Sequence, residues 1–230
     1  MKLKGDLLKT VSSYFDLLED NVEIILQKGS HPKRDDLFDF LNKIVSLSEK
    51  LSIVVDKIDL KYSPITFSIS KKDRDASIFF SGIPGGHEFN SFILAILHVG
   101  GHKTKLDESV ISQIKSIDKQ LDFQVFVSLD CQICPEVVQA INKIASLNSN
   151  IKCETLDGGL FQDLVKEKGI QAVPSIFLNG EFLSSGKTNI PKIIDSLKQK
   201  NLFVFEKRVL DKDLKDCVII GGGPAGISSA

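Results

Sequence analysis

Two cysteines separated by two residues, Cys131 and Cys134, carry the clearest chemistry in the sequence. The alternating apolar run at 123–127 predicts a strand before them, and 135–147 has the periodicity of a helix. A C-x-x-C pair at such a junction is typical of a site that cycles between a dithiol and a disulfide. We therefore predict that the protein passes electrons through this pair.

The two cysteines are expected to have different roles. A thiolate is the nucleophile in disulfide exchange, and Cys131 at the N-cap of the predicted helix would face free backbone N–H groups that favour the thiolate. Cys131 is therefore predicted to be the attacking thiol and Cys134, one turn inward, the resolving thiol. The alternatives are a zinc half-site or two inert thiols. The sequence has no second C-x-x-C, which favours redox chemistry and predicts no bound metal.

The order of predicted elements around this pair indicates the fold. The elements after residue 119 are strand 123–127, helix 135–147, strand 151–155, a helix near 160–168, strand 175–178, a short strand and a helix near 191–199. This β-α-β-α-β-β-α order is that of a thioredoxin fold. Pro174 falls where such folds place a cis-proline loop, so we predict a cis Val173–Pro174 bond that leaves the backbone of residue 173 free to pair with a substrate strand. The alternative is a trans proline at the start of a strand.

An internal repeat indicates that this fold occurs twice. Residues 41–47 match 141–147 nearly residue for residue, and 63–67 resemble 173–177. The first copy has Gly-Ser-His-Pro at 29–32 where the second has its C-x-x-C. We predict an α/β protein of two tandem thioredoxin-like folds packed together, with only the second redox active. The predicted boundaries are 1–118 for the first fold and 119–200 for the second.

The sequence around the cysteines shows no obvious acceptor for the proton of the inner thiol, Cys134. Thioredoxins carry a buried carboxylate on the strand, six residues before the first cysteine, where this chain has Val125. Glu88 opens a predicted helix in the first copy, whose face could lie against the second. The alternative is a glutamate that is favoured there only by the helix dipole.

A charged stretch at 201–216 is predicted to be a linker, and 217–230 holds the pattern Gly221-x-Gly223-x-x-Gly226 after an apolar strand. This pattern is a dinucleotide-binding fingerprint, in which glycines allow a pyrophosphate close to a helix N-terminus. No second strand and no ribose-binding acid follow it, so no bound cofactor is expected in this chain alone.

Composition and charge narrow the classes of partner. The net charge of −1 gives no reason to expect nucleic acid or anionic membrane as a partner. No apolar run approaches the roughly 20 residues of a membrane span, and no signal-peptide core follows Met1. A cytoplasmic location is therefore expected.

Several motifs in one order resemble a known family. They are the segment 86–89, the stretch 128–142 around the cysteines, 157–159 followed by Phe161 and Gln162, Val173-Pro174 and the glycine fingerprint. Together they are similar to the N-terminal part of the F subunit of alkyl hydroperoxide reductase, along all 230 residues. The resemblance assigns the redox pair to Cys131 and Cys134 and places Glu88 beside it.

The same resemblance implies the partners and cofactors of the complete protein. It implies FAD and NADH in a flavin module, of which 217–230 would be only the first strand and loop, and a homodimer. It also implies electron transfer to a peroxiredoxin, the C subunit of alkyl hydroperoxide reductase, and we expect this chain to be a fragment of such a flavoprotein. The alternatives are a general protein disulfide oxidoreductase and a non-enzymatic docking module whose cysteines bind zinc.

Overall fold

A computed structural model describes residues 5–59 and 61–202 of the chain. The strands in this described part are β1 (Val22–Gln27), β2 (Leu51–Asp56), β3 (Thr66–Lys71), β4 (Ile78–Ser81), β5 (Leu121–Val127), β6 (Ile151–Asp157), β7 (Ser175–Leu178) and β8 (Glu181–Ser185). The helices are α1 (Gly5–Phe15), α2 (Arg34–Val45), α3 (Phe89–Val99), α4 (Glu108–Lys115), α5 (Cys134–Leu147), α6 (Gln162–Glu167) and α7 (Ile190–Gln199), with a short 3-10 helix at Gly86–Glu88. No helix in these ranges is long and apolar enough to cross a membrane.

All of these strands join one sheet in the order β2-β1-β3-β4-β6-β5-β7-β8. Within β2-β1-β3-β4 the first pair is parallel and the next two pairs are antiparallel, and β6-β5-β7-β8 repeats this pattern. The two sets meet where β4 pairs in parallel with β6. The fold class predicted from the sequence is therefore confirmed: two tandem thioredoxin-like folds share a single sheet.

Equivalent positions in the two folds can be read from the strand ends. Helix α2 begins seven residues after β1 ends, and α5 begins seven residues after β5 ends. The repeated sequences 41–47 and 141–147 lie at the C-terminal ends of these two helices. The copies differ between their second and third strands, where the second fold has α6 and the described part of 57–65 has no helix.

One face of the sheet carries a core that is shared by both folds. Along β5 the inward side chains Phe123, Val125 and Val127 are buried in the same cluster as residues of α3 and α5. The alternation follows from the two-residue period of a strand, which sends every second side chain to the same face. A smaller core of Phe126, Leu156 and Phe177 lies on the opposite face under α6.

Hydrogen bonds between side chains connect the two folds across the β4–β6 pairing. Thr66 Oγ1 lies 2.6 Å from Ser81 Oγ, and Ser81 Oγ donates to Glu154 Oε1 at 2.5 Å. Gln124 Nε2 donates to the other oxygen of Glu154 at 3.1 Å. These four residues belong to β3, β4, β6 and β5, so the polar chain crosses from the first fold to the second.

Candidate functional site

Cys131 and Cys134 form a disulfide with their Cα atoms 5.5 Å apart, at the junction of β5 and α5. Cys134 is fully buried, whereas Cys131 is half-buried and is followed by the exposed Gln132 and Ile133. An incoming thiol or disulfide therefore has access to the Cys131 sulfur and not to Cys134.

The predicted N-cap position of Cys131 is wrong by two residues. The N-cap of α5 is Ile133, and Cys134 is the first helical residue. The cause is a turn before the helix, closed by a hydrogen bond of 3.0 Å from the Cys131 N–H to the Ser128 carbonyl oxygen. Cys131 nevertheless benefits from the helix terminus, because the Cys134 N–H donates to the Cys131 sulfur at 3.1 Å. A backbone donor at the positive end of a helix stabilises a thiolate at this sulfur after reduction.

The loop before β7 lies directly against the disulfide. The Val173–Pro174 bond is cis, as predicted. The Cys131 sulfur lies 3.8 Å from the Val173 carbonyl oxygen, and the adjacent Pro174 is buried. This loop and the Cys131 sulfur thus form one surface, where an extended partner segment could pair with the backbone.

The first fold contributes a segment to the same region. The His87 N–H donates to the Leu129 carbonyl oxygen at 3.0 Å, two residues before the first cysteine. Gly86 has φ of +54°, and a Cβ atom there would collide with the Leu129 carbonyl oxygen. Only glycine permits this approach. The close contact places Glu88 at the border between the folds.

Glu88 is almost completely buried, with a relative exposure of 1%. Neither carboxyl oxygen has a hydrogen-bond partner of ordinary geometry among the described residues. Burial raises the pKa of Glu88 to about 7, although the nearby Ser91 hydroxyl partly opposes the shift. A carboxyl group with this pKa exchanges its proton near neutral pH.

A small cavity at the border has room for about one water molecule. Its lining residues come from both folds and are Phe80, Ser81, Gly82, Ile83, Pro84, Glu88, Val127, Leu129, Thr155 and Asp157. Burial also raises the pKa of Asp157, against the opposing effect of the Gly159 N–H that bonds its carboxylate. Thr155, a buried polar residue on β6, was not among the predicted site residues.

The site of the first fold that corresponds to the disulfide holds no thiol. Counting from the strand ends, His31 and Arg34 take the places of Cys131 and Cys134. Arg34 Nη1 donates to the Pro64 carbonyl oxygen at 2.6 Å and also to that of Gln27. The guanidinium group thus links the start of α2 to the end of β1 and to the loop before β3. The equivalent segments of the second fold surround the disulfide.

The remaining candidate groups stay outside this site. Cys153 is a free, fully buried thiol whose pKa is raised by burial, as expected for an inert cysteine. Within the described ranges, no group of three or more histidine, cysteine, aspartate or glutamate side chains could hold a metal ion. Gly221, Gly223 and Gly226, together with most of the predicted linker, fall in 203–230, outside the described residues.

These features define a class of protein: a disulfide oxidoreductase domain built from tandem thioredoxin-like folds. A family model described as a thioredoxin domain matches residues 121–198. The crystal structure of the N-terminal domain of alkyl hydroperoxide reductase AhpF from Enterococcus faecalis is 30% identical, with a TM-score of 0.79. That match covers 85% of this chain and 100% of the solved one. The chain therefore belongs to the AhpF family of alkyl hydroperoxide reductases, in which it matches the N-terminal domain.

Longer curated relatives agree with this assignment. The F subunit of alkyl hydroperoxide reductase from Pseudomonas aeruginosa is 37% identical over 228 residues. A protein named NADH dehydrogenase from Ferdinandcohnia aciditolerans is 38% identical over 230 residues. The matches cover 99% and 100% of this chain but only 43% of each relative, so the chain spans less than half of their length.

Proposed function

We propose that this chain relays electrons from a flavin module to the disulfide of a peroxiredoxin, the C subunit of alkyl hydroperoxide reductase. The observation that carries this proposal is the Cys131–Cys134 disulfide in one of two tandem thioredoxin-like folds, with Cys131 accessible and Cys134 buried. Peroxide detoxification would be the role of the complete protein.

The proposed reaction is a pair of thiol–disulfide exchanges. In the reduced chain, the Cys131 thiolate attacks one sulfur of the partner disulfide, and the other partner sulfur leaves as a thiolate. Cys134 then loses its proton and attacks the Cys131 sulfur, which releases the first partner sulfur. The chain loses two electrons and regains its disulfide, while the partner gains two electrons and becomes a dithiol.

Glu88 is proposed to accept the proton of the buried Cys134 thiol. Its burial and its position against the loop before Cys131 support this role, because a glutamate that served only the helix dipole would be expected at the surface. Its pKa of about 7 suits proton exchange near neutral pH. Pro174 is proposed to position the Val173 backbone for pairing with the partner segment.

The electron source is proposed from the family relationship. We propose that Gly221, Gly223 and Gly226 belong to an FAD-binding domain and that NADH supplies it with electrons. FAD would supply the flavin that carries these electrons, and because its fingerprint lies outside the described residues, no step above passes through it. The proposed organisation is a first fold at 1–118, a second at 119–200, a linker at 201–216, and a homodimer in the cytoplasm for the complete protein.

Substrate preference tests this proposal against a general protein disulfide oxidoreductase. The reduced chain is mixed separately with an oxidised peroxiredoxin and with insulin, and the loss of thiols from the chain is followed. We expect transfer to the peroxiredoxin to be faster by at least tenfold. Equal rates with the two substrates would favour the general oxidoreductase. Arg34 already speaks against two working sites, since it fills the place of a cysteine in the first fold.

A further inference from the structure

Two buried polar side chains, Thr155 and Glu88, line the same small cavity from opposite folds. Thr155 has a relative exposure of 3%, and its hydroxyl oxygen has no hydrogen-bond partner of ordinary geometry among the described residues, with the buried Cys153 thiol two residues before it as a nearby group. Both carboxyl oxygens of Glu88 likewise lack a partner of ordinary geometry, although the Ser91 hydroxyl lies nearby. Buried polar groups are nearly always hydrogen-bonded to protein or to ordered water, so two such groups at one cavity point to a shared partner.

Thr155 stands in an otherwise apolar row of the sheet. Its neighbours in register are Phe80 on β4 and Val125 on β5, and Val125 in turn pairs with Ile176 on β7. The face of the sheet that carries Val125 is covered by α5, which begins at Cys134. The Thr155 hydroxyl is therefore the polar group that this row presents near the redox helix.

The cavity suits a single bound water. It has room for about one molecule, and a buried water typically makes two to four hydrogen bonds. Three residues with polar side chains, Thr155, Glu88 and Asp157, line it. We propose that Thr155 is a positioning residue for Glu88, and that one water in this cavity joins the Thr155 hydroxyl to the Glu88 carboxyl by hydrogen bonds.

This link would set the pH range in which Glu88 can take a proton from Cys134. A hydroxyl that donates through water to an ionised carboxylate stabilises the charged form, so removal of the hydroxyl raises the pKa of Glu88 further. The inference rests on the proposed role of Glu88. Valine has nearly the shape of threonine, and Thr155→Val therefore removes the hydroxyl with little change in packing.

Other titratable groups lie in this region of the border between the folds. Asp157 on β6 lines the cavity, Asp130 lies in the loop before the cysteines, and the Cys131–Cys134 pair opens α5. His87 precedes Glu88 on the 3-10 helix and is exposed. The β4 residues on the cavity wall, Phe80 and Ser81, do not titrate, and neither does Ser91 in the first turn of α3. Asp157→Asn is therefore measured alongside, so that its charge can be separated from the effect of Thr155.

The direct test is the titration of the Glu88 carboxyl in the full chain, followed by carbon NMR with labelled glutamate and assigned through Glu88→Gln. We expect Thr155→Val to raise the midpoint by roughly half a unit to one unit, and Thr155→Ser to restore it. The matched control is Ser68→Ala, which removes another buried hydroxyl without a partner, away from this cavity. An unchanged midpoint in Thr155→Val, or no recovery in Thr155→Ser, would overturn the proposal.

A second measurement looks for the water directly. It uses the wild-type chain, so it still decides the question if Thr155→Val fails to fold. A high-resolution crystal structure of the wild-type chain should show one water within hydrogen-bond distance of Thr155 Oγ1 and a Glu88 oxygen; an empty cavity would overturn the link. Neither readout uses a peroxiredoxin. A normal titration shift combined with no transfer to peroxiredoxin would therefore refute the proposed function and leave the Thr155 link standing.

Discussion

The guanidinium group of Arg34 donates a hydrogen bond of 2.6 Å to the carbonyl oxygen of Pro64, in the first fold. Arg34 stands at the position that corresponds to Cys134, and Pro64 precedes β3 as Pro174 precedes β7. The same two loops thus meet through a disulfide and a cis-proline loop in one fold and through an arginine in the other. In the first fold, which has no cysteine, this contact between the loops is structural.

The Arg34 contacts predict a loss of stability when this arginine is replaced. Arg34→Met leaves the half-buried carbonyl oxygens of Pro64 and Gln27 without their donor, and we expect the free energy of unfolding to fall by about 1–3 kcal/mol. Urea denaturation measures the change, and thiol transfer should be unaffected. The matched control is Arg74→Met at an exposed position. Equal stability of the two variants would show that the Arg34 contacts contribute nothing.

Glu88 predicts a distinct dependence of stability on pH. Its pKa in the folded chain is about 7, above the ordinary value of 4.5, so the folded state binds the proton more tightly. Its contribution to stability is therefore greatest below pH 4.5 and is lost as the pH rises to about 7. We expect Glu88→Gln to match the wild type at pH 4.5 and to exceed it at pH 8 by up to about 3 kcal/mol. A constant difference across this range would mean that Glu88 does not titrate as described.

The same substitution should slow electron transfer while it stabilises the fold. Without a carboxyl to accept the Cys134 proton, we expect the rate of disulfide formation at pH 7 to fall by about 10- to 100-fold. Stopped-flow measurement of thiol loss across pH 5–9 provides the profile. Glu136→Gln, at an exposed position on α5, is the control. Wild-type rates in Glu88→Gln at every pH would remove Glu88 from the mechanism.

The side-chain hydrogen bonds that cross the β4–β6 pairing lead to a further prediction about stability. Glu154→Ala removes the acceptor of both Ser81 and Gln124, and we expect it to cost about 1–3 kcal/mol in urea denaturation. Glu167→Ala, at an exposed position of α6, should cost much less. If both variants unfold at the same urea concentration, the polar chain does not hold the folds together.

The parts of the structure that follow from short-range patterns were predictable. The strand, loop and helix around Cys131 are set by local periodicity, and the internal repeat at 41–47 and 141–147 predicted a second copy of the fold. The cis bond before Pro174 followed from its place in that order. The N-cap was misplaced because the sequence does not reveal the turn, closed by the backbone bond from Cys131 to Ser128, that precedes the helix.

Features that depend on contacts between the folds were not predictable. The parallel pairing of β4 with β6 joins segments about 75 residues apart in the chain, and no local pattern specifies it. The cavity shared by Glu88 and Thr155 exists only because of that pairing. Likewise, Arg34 resembles any charged residue at the start of a helix until Pro64 is placed beside it.

In the proposed mechanism, Cys131 attacks the partner disulfide and Cys134 resolves the mixed disulfide. The most direct measurement is the product formed when each reduced single-cysteine variant meets an oxidised peroxiredoxin, as seen by mass spectrometry without reductant. We predict that Cys134→Ser accumulates a mixed disulfide through Cys131, and that Cys131→Ser forms none and transfers no electrons. Transfer by Cys131→Ser at the wild-type rate would contradict this account.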